Sequence, residues 1–550
     1  MDQIKLLKNN LELKNVNAYK KVKMNKKYVI SSLRTRGKYN NTLIFLVLFF
    51  ILIFISIIIF YLFKLKGKKF IPAVKPSELR IISDKKPEKY RKYEVNENNN
   101  DSKCNSLDPI NIFKIRLKNG PIEICNEKNT KHICYINHEG YYNDIFANKN
   151  GSLCLMENII IDPSKSSQTG LIYKGPVDTK YIGFPILSNG FINTKCSAKN
   201  ISFNYHKIYK TYFDSWNYDY DYKKENEELE ELAPGKIVFL ISRNQDSPNL
   251  FHGNSEIINV ISMLYLFNLS PEDVKVVFME SIQIPQDPFY DIYFNMISRG
   301  GKPIHIKNLK KKYKISKAIH VPINWDSPVF IYTDIIECKS STIAYQLYND
   351  LIDKYMDLKS FKDKFINDNM AFYYPNEIIK NNNMGVKFTK MVTIQWRRVW
   401  PKGRTKQQRL LGNGPSLADK LASELPNNIL VRLVDTAQLD YKEQISIIRN
   451  TDYFVGIHGA GLSLGIFLPK ESIYHEILKD KNIPVLALMS SLSGHKTYVD
   501  ILKATSNFND GNENVYFDEE IFVKSVLTHM KDNNFILPPT QLNSTSLNNK

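Results

Sequence analysis

Residues 440–477 read DYKEQISIIRNTDYFVGIHGAGLSLGIFLPKESIYHEI, and this stretch decides the fold class. Apolar residues recur at helical spacing over residues 442–450, and a short apolar strand is predicted over residues 453–457. The strand runs straight into His458-Gly459-Ala460-Gly461, after which an apolar helix is predicted to begin near Leu462. A helix, a buried strand, a glycine-rich turn and a second helix in this order are typical of doubly wound α/β sheets.

The turn after this strand carries the main functional signal. Small residues at the carboxyl end of a strand let the backbone approach a ligand closely. The start of the following helix offers unpaired N–H groups to an anion, and ligands of open α/β sheets bind in this crevice. We therefore predict that the N–H groups of residues 459–462 bind a diphosphate, with His458 contacting it or a ribose. The alternative is a tight strand-to-helix turn with a structural histidine.

The chain on both sides of this stretch alternates between short apolar strands and helices. Strands are predicted over residues 236–242, 273–279, 303–306, 391–396, 428–434, 453–457 and 472–477. Helices are predicted over residues 255–269, 289–298, 416–425, 440–450 and 460–467. Such alternation predicts parallel sheets of doubly wound type, and residues 350–385 are predicted to form a hinge between two of them.

Four blocks of this region, which spans residues 236–505, resemble glycosyltransferase family 61. The longest stands here as Glu443-Gln444, Thr451-Asp452, Gly456, His458-Gly-Ala-Gly-Leu462, Phe467-Leu-Pro469 and Glu476. The others are Asn249-Leu-Phe-His252 with Glu256, Gln395-Trp-Arg-Arg398 with Arg409-Leu-Leu-Gly-Asn413, and Leu492-Ser-Gly-His-Lys-Thr-Tyr498. The sequence departs from the family at Gly253-Asn254, where bulkier apolar or aromatic residues are common, and at Trp396 beside the arginines.

The resemblance implies an inverting transferase of α/β class with two facing Rossmann-like lobes, the GT-B arrangement. It places a UDP-sugar donor in a C-terminal lobe (residues 386–505) and the acceptor toward an N-terminal lobe (residues 236–385). Residues 506–550 are expected to return partly to the N-terminal lobe and to end in a disordered tail. The first guess for the transferred sugar is GlcNAc and the second is xylose, and the acceptor is a protein or glycan hydroxyl.

The donor site needs groups that neutralise a leaving diphosphate, and arginine forks suit phosphate oxygens. We therefore assign it to Arg397 or Arg398, Arg404 and Arg409, together with the N–H groups of Gly459, Ala460, Gly461 and Leu462. His458 and Glu476 are expected to shape the nucleotide pocket, with Glu476 accepting from ribose hydroxyls. The alternatives are arginines that only coat a basic surface loop and a glutamate with a structural role.

The acceptor hydroxyl needs a base, for which His252 and Glu256 are the candidates. They lie four residues apart, so they share one helix face and one can orient the other. The alternative is a helix-packing histidine with an exposed glutamate. Asp219-Tyr220-Asp221 matches a D-x-D metal-binding pattern, but it precedes the α/β region and does not follow a strand. No metal and no other cofactor is therefore predicted.

Residues 43–63 form an apolar run whose only polar members are Ser56 and Tyr61. As a helix, a run of this length rises about 30 Å, the hydrocarbon thickness of a bilayer. A cleaved signal peptide is the alternative, but the run is too long, starts too late and is followed by lysines. We predict a transmembrane anchor at residues 43–63, a cytoplasmic tail at residues 1–42 and a stem at residues 64–103.

All six cysteines follow the predicted anchor, five of them between Cys104 and Cys196. Glycosylation sequons follow it at Asn100, Asn150, Asn200, Asn268 and Asn543, and one at Asn40 precedes it. Clustered cysteines and glycan acceptors suit an oxidising lumen. Residues 104–235 are therefore predicted to form a disulfide-braced β-rich region packing on the N-terminal lobe, the alternatives being free thiols or a metal site. The expected location is the Golgi or endoplasmic reticulum membrane, as a single-pass type II protein.

The formal net charge is +19, and a large part of the excess precedes the apolar run. No nucleic-acid-binding module accompanies this charge, so we predict no nucleic-acid partner and a solvated or membrane-facing role. A basic membrane tether for nucleic acid is one alternative to the transferase. A catalytically inactive, glycosyltransferase-like binding or scaffold protein is the other.

Overall fold

The computed structural model describes residues 102–118, 121–127, 130–136, 152–167, 186–197, 212, 214–220, 229–242, 249–279, 289, 292–299, 301–322, 337–365, 371–398, 409–480, 484–509 and 512–536. All of them belong to one compact unit, Lys75–Lys550. In this part of the chain no helix is long and apolar enough to cross a bilayer. The predicted anchor and tail and nearly all of the predicted stem lie outside the described residues.

The N-terminal half is organised around a nine-stranded sheet. The strands in chain order are β1 (Ile122–Glu127), β2 (Thr130–Ile136), β3 (Ser152–Ile161), β4 (Ser166–Ser167), β5 (Ile186–Leu187), β6 (Ile192–Asn193), β7 (Trp216–Asn217), β8 (Ile237–Ile241), β9 (Val274–Phe278), β10 (Ile304–His305) and β11 (Tyr313–Val321), of which β4 and β5 form a separate pair. The parallel core of the sheet runs in the spatial order β11-β8-β9-β10, the arrangement that begins a Rossmann sheet. Strand β3 pairs antiparallel with β11, so strands of the cysteine region (residues 104–235) extend the same sheet.

Alternate residues of a strand point to opposite faces of the sheet, and helices cover one of these faces. Phe239 and Ile241 join a core with the helices, whereas Val238 and Leu240 join a second core with Trp216 of the cysteine region. The helices are α1 (Ser102–Ser106), α2 (Pro109–Lys118), α3 (Leu250–Leu266) and α4 (Ile343–Tyr355). A 3-10 turn at Pro271–Asp273 and a π-helix at Tyr293–Ile297 complete this layer, the latter in place of the helix predicted over residues 289–298.

Three disulfides confirm the predicted pairing state of the cysteines. They join Cys104 to Cys338, Cys125 to Cys196 and Cys134 to Cys154, and they leave no free cysteine. The first ties α1 to the segment before α4, the second ties β1 to the segment after β6, and the third joins β2 to β3. The region is therefore fastened to the N-terminal sheet both covalently and through the pairing of β3 with β11.

The C-terminal half contains a six-stranded sheet and a small three-stranded sheet. Their strands are β12 (Phe372–Tyr373), β13 (Lys390–Gln395), β14 (Arg409–Leu411), β15 (Ile429–Val434), β16 (Tyr453–Ile457), β17 (Ile473–Leu478), β18 (Lys496–Ile501), β19 (Ala504–Asn509) and β20 (Asn512–Phe517). The six-stranded sheet has the order β12-β15-β13-β16-β17-β18, and all neighbours are parallel except β12, which runs antiparallel to β15. The small sheet has the order β14-β20-β19.

Helices cover both faces of the six-stranded sheet. They are α5 (Asn376–Asn383), α6 (Gly414–Glu424), α7 (Tyr441–Arg449), the 3-10 helix Ala460–Phe467, α8 (Val485–Leu492) and α9 (Glu519–Asp532). On one face, Phe454 and Tyr474 pack with α7, α8 and the 3-10 helix in the core that also contains α3 and α4. On the other face, Tyr453 and Ile473 pack with α5, α6 and α9. The α/β class is confirmed, and the facing-lobe GT-B arrangement stays a prediction.

Two predicted boundaries differ from the structure. Residues 372–383 lie within the C-terminal sheet and its core, so this layer begins before residue 386. Helix α9 packs in the same core, which means that the described part of residues 506–550 does not return to the N-terminal lobe. The predicted hinge at residues 350–385 is joined to this half through Asp363, whose two carboxylate oxygens accept 2.9 Å hydrogen bonds from the buried Arg432 of β15.

Candidate functional site

The strand order of the C-terminal sheet defines a crevice. Strands β15-β13-β16-β17-β18 have the chain-order pattern 2-1-3-4-5 of flavodoxin-like sheets. In such sheets the chain turns to opposite sides after the first and third strands, and ligands bind at the carboxyl ends of those two. Here they are β13, followed by Trp396-Arg397-Arg398, and β16, followed by His458-Gly459. Two blocks that are distant in the sequence therefore meet at the switch point.

Arg397 contacts the turn after β16 directly. Its Nη1 donates to the carbonyl oxygen of His458, and a Cβ on Gly459 would lie 1.8 Å from the same nitrogen. Burial first, and then the nearby Arg409, lower the pKa of Arg397 to about 10, so it is still a cation at neutral pH. Among the described residues no carboxylate forms an ion pair with Arg397. Its positive charge is therefore available to an anion at the crevice.

The other predicted arginines differ in position. Arg409 begins β14 beside Arg397, since the N–H of Leu411 donates to the Arg397 carbonyl at 2.8 Å. Arg398 donates from Nε to Asp435 at 3.0 Å, and its guanidinium lies 4.1 Å from the ring centroid of Trp396. Of the two candidates after β13, Arg397 is thus the one at the turn. Arg404 lies outside the described residues.

The glycines of the turn make room for protein side chains, and the close approach of a ligand to them stays a prediction. A Cβ on Gly456 would lie 2.7 Å from Gln395 Cβ, and one on Gly461 would lie 3.1 Å from the Gln395 amide nitrogen. Gln395 ends β13 and is opposite Gly456 in the sheet, with its amide held by Thr436 at 3.0 Å. Gln395 and Arg397 together line the turn from the side of β13.

The N–H groups of the turn are only partly available. A 3-10 helix, Ala460–Phe467, stands where an α-helix was predicted, and the N–H of Leu462 donates to the Gly459 carbonyl at 2.9 Å. Leu462 is also buried, so its predicted N–H contact with a diphosphate is wrong. The first N–H groups of a helix have no partner within it, which leaves Ala460 and Gly461, both half-buried, as donors to a ligand.

His458 is oriented from behind by Glu476. The imidazole Nδ1 contacts Glu476 Oε1, while Glu476 Oε2 accepts the N–H of Ala487 in the first turn of α8 at 2.9 Å. The Glu476 side chain is fully buried and that of His458 is 16% exposed. Both carboxylate oxygens thus have protein donors, so Glu476 acts on a ligand through His458 and does not reach a ribose itself. With Nδ1 engaged, Nε2 is the ring nitrogen that remains for a ligand.

The candidate base lies on α3, which follows the first strand of the N-terminal Rossmann-type order. Asn249 caps this helix by accepting the N–H of Phe251 at 3.0 Å, and His252 is in the first turn, half-buried. Glu256 is one turn further and buried, where it accepts from the Tyr293 hydroxyl at 2.6 Å. The alternative of an exposed glutamate is therefore excluded.

Asn254, which the sequence marked only as a departure from the family, joins the two halves of the protein. Its Oδ1 accepts from the hydroxyls of Tyr348 (3.0 Å) and Tyr441 (2.7 Å), and its Nδ2 donates to Ser463 at 3.3 Å. Ser463 in turn donates to the Ala460 carbonyl at 2.7 Å. A hydrogen-bonded path therefore runs from α3 to the glycine-rich turn. No local signal identifies it, because every partner is distant in the sequence.

Close packing explains the glycine at position 253, the other departure from the family. A Cβ there would lie 2.0 Å from the ring of Phe289, which itself packs against Tyr441 at 5.1 Å between centroids. Of the D-x-D segment, Asp219 is exposed and pairs with Lys195 through an isolated antiparallel backbone bridge, and Asp221 lies outside the described residues.

The comparison with known families agrees with the site. The family model described as Glycosyltransferase 61 matches residues 289–474, a segment that contains Arg397, Arg409 and the turn after β16. The match covers less than half of the chain, ending before Glu476 and beginning after His252. No curated protein matches the chain. The resemblance to glycosyltransferase family 61 is thus confirmed for this segment and supports a glycosyltransferase.

Proposed function

We propose that this chain, whose residues 289–474 belong to glycosyltransferase family 61, transfers a sugar from a UDP-sugar to a protein or glycan hydroxyl with inversion. The observation that carries the proposal is the contact of Arg397 with His458 and Gly459 at the switch point of a 2-1-3-4-5 sheet. Arg397 is a cation with no carboxylate partner among the described residues, and it lies beside N–H groups of the turn; a pyrophosphate binds to such a combination.

The leaving group is the nucleoside diphosphate. As the bond from the anomeric carbon to the diphosphate oxygen breaks, that oxygen gains negative charge. Arg397 and Arg409, with the N–H groups of Ala460 and Gly461, are placed to stabilise this charge. His458, held at Nδ1 by Glu476, presents Nε2 to the phosphate or to a ribose hydroxyl. Arg404 stays assigned to the same site as a prediction.

The nucleophile is the acceptor hydroxyl, which forms the new bond to the anomeric carbon and loses its proton to a base. We assign this base to His252, with Glu256 orienting it from the buried side. The transfer step needs no metal ion in this scheme, because the arginines supply the positive charge. Sustained turnover after exhaustive chelation is the expected result.

GlcNAc is our first choice of sugar, transferred to a serine or threonine or to O-mannose, and xylose transferred to a glycan is the second. We also propose a single-pass type II protein of the Golgi or endoplasmic reticulum membrane, anchored by residues 43–63. Three disulfides support a luminal catalytic region, since such bonds persist in oxidising compartments.

The test is release of UDP from a panel of UDP-sugars by the full-length chain, with NMR of the product anomer. One UDP-sugar should be turned over, with inversion. Arg409→Ala should weaken UDP binding about 30-fold, the value of one charge-assisted hydrogen bond of about 2 kcal/mol. Lys420→Ala, which removes a cation from the surface of α6, is the matched control and should bind normally.

The outcomes separate the two main hypotheses. Binding of UDP that depends on Arg409, without turnover of any sugar in the panel, would favour a catalytically inactive binding protein. Retention of wild-type affinity by Arg409→Ala would remove the proposed donor site. Tight, salt-sensitive binding of DNA or RNA by the chain would instead favour the nucleic-acid tether.

A further inference from the structure

A second cluster of polar groups lies on the far face of β17, away from the proposed donor site. It consists of His475 on β17, Asp500 on β18 and His529 on α9. The His475 Nε2 is 3.2 Å from Asp500 Oδ2, the His529 Nε2 is 2.9 Å from the same oxygen, and all three atoms lie within 4.8 Å of one another. Three separate elements therefore direct two imidazole nitrogens and one carboxylate oxygen to a single point.

Hydrogen bonding alone satisfies this cluster poorly. Asp500 Oδ2 is approached by His475, His529 and the hydroxyl of Ser525 at once. His475 is fully buried, yet its Nε2 makes no properly directed hydrogen bond with any residue that the structure describes. A buried nitrogen in this condition costs free energy unless another group binds it. A cation in the centre would take the lone pairs of all three side chains.

The hydrogen-bond partner of His475 also suits a cation. Tyr453 contacts His475 Nδ1 at 3.0 Å, and as an acceptor there it would fix the proton on Nδ1 and leave Nε2 as the ligand atom.

We propose that His475, Asp500 and His529 bind one divalent transition-metal ion, with Zn²⁺ as the expected occupant. Zinc takes imidazole nitrogen and carboxylate oxygen at about 2.0–2.2 Å in a tetrahedron, which spaces ligand atoms about 3.4 Å apart. The two nitrogen–oxygen distances, 3.2 Å and 2.9 Å, already approach this value. The fourth ligand is water.

The role of this site is structural. His475 and Glu476 are neighbours on a strand, so their side chains point to opposite faces of the sheet. Glu476 supports His458, whereas His475 lies on the face covered by α9. The metal ion would fasten α9 to β17 and β18, and a chelator would lower stability without changing the sugar-transfer step directly.

The test uses the untagged full-length protein. Metal content is measured after purification, the protein is stripped with a chelator, and Zn²⁺ is then titrated by calorimetry and Co²⁺ by visible absorption. One equivalent of Zn²⁺ should bind and raise the melting temperature, and Co²⁺ should give the d–d bands of a low-coordinate nitrogen and oxygen site. His529→Asn should weaken binding at least 100-fold, and Tyr453→Phe should weaken it 10- to 100-fold, as removal of an outer-shell partner does.

Two controls separate a metal site from a hydrogen-bonded cluster. Ser525→Ala removes one hydrogen bond to Asp500 and should retain the metal ion, while His305→Asn removes a histidine of the N-terminal sheet and should leave the stoichiometry unchanged. The proposal fails if the wild-type protein binds no Zn²⁺ saturably, or if His529→Asn binds it as tightly as the wild type. Either result is independent of glycosyltransferase activity.

Discussion

Arg397 and Gly459 pack so closely that a Cβ on the glycine would lie 1.8 Å from Arg397 Nη1. The guanidinium is the far end of a flexible side chain, so Gly459→Ala should displace it without unfolding the sheet. We expect about 30-fold weaker UDP binding, because the loss of one charge-assisted hydrogen bond costs about 2 kcal/mol. Calorimetric titration with UDP measures this.

Gly461→Ala is the matched control for this prediction. A Cβ there would be 3.1 Å from the Gln395 amide, a contact that a small side-chain shift relieves. Its affinity for UDP should fall far less than that of Gly459→Ala. Equal affinities of the two variants would mean that the position of Arg397 does not matter for the donor.

His252 is expected to control the chemical step. If it is the base, His252→Ala should lower kcat by about 10²–10⁴-fold, the usual contribution of a positioned base, with UDP affinity unchanged. Tyr293→Phe removes the hydroxyl that donates to Glu256 at 2.6 Å and should have a much smaller effect on kcat. Steady-state kinetics and UDP titration give both quantities. A His252→Ala protein with full kcat would show that the base lies elsewhere.

The local features of the site could be predicted from the sequence, and the contacts between them could not. Strand Tyr453–Ile457 has the predicted bounds, and the arginine block follows its strand as expected, since short apolar strands and turn residues are local signals. That Arg397 meets Gly459, and that Glu476 is held behind His458, depends on strand order and on which face each side chain takes.

The helix after the turn illustrates a second limit. Residues 460–467 are apolar on every side, so the spacing of apolar residues could not separate an α-helix from the observed 3-10 helix. The cysteine region illustrates a third. Its strand β3 pairs with β11 across more than a hundred residues, and no pattern within residues 104–235 specifies a partner at that distance.

Asn254 is expected to stabilise the protein more than a single hydrogen bond would. Asn254→Leu removes the acceptor of two buried tyrosine hydroxyls, whereas the Ser463 hydroxyl keeps its bond to the Ala460 carbonyl. Each buried polar group left unpaired costs about 1–3 kcal/mol, so the free energy of unfolding should fall by about 2 kcal/mol or more. Ser463→Ala interrupts one branch only and should cost about 1 kcal/mol. Urea unfolding compares the three proteins, and similar values for both variants would contradict the central position of Asn254.

His495 should make stability depend on pH. It is buried in the turn after α8, and burial lowers its pKa to about 4 from an ordinary value of 6.5. Between these two values the unfolded chain binds a proton that the folded chain does not, so stability falls as the pH is lowered from 6.5 toward 4. Above pH 6.5 both states are neutral and the histidine contributes no slope. The full effect is about 3 kcal/mol, since one pKa unit is worth about 1.4 kcal/mol.

Urea unfolding of the wild type and of His495→Asn at pH 7 and pH 4.5 measures it. The difference in stability between the two proteins should shift in favour of the variant by about 2–3 kcal/mol at the lower pH, whereas other buried histidines such as His132 affect both equally. The same shift with pH in both proteins would mean that His495 is protonated in the folded state.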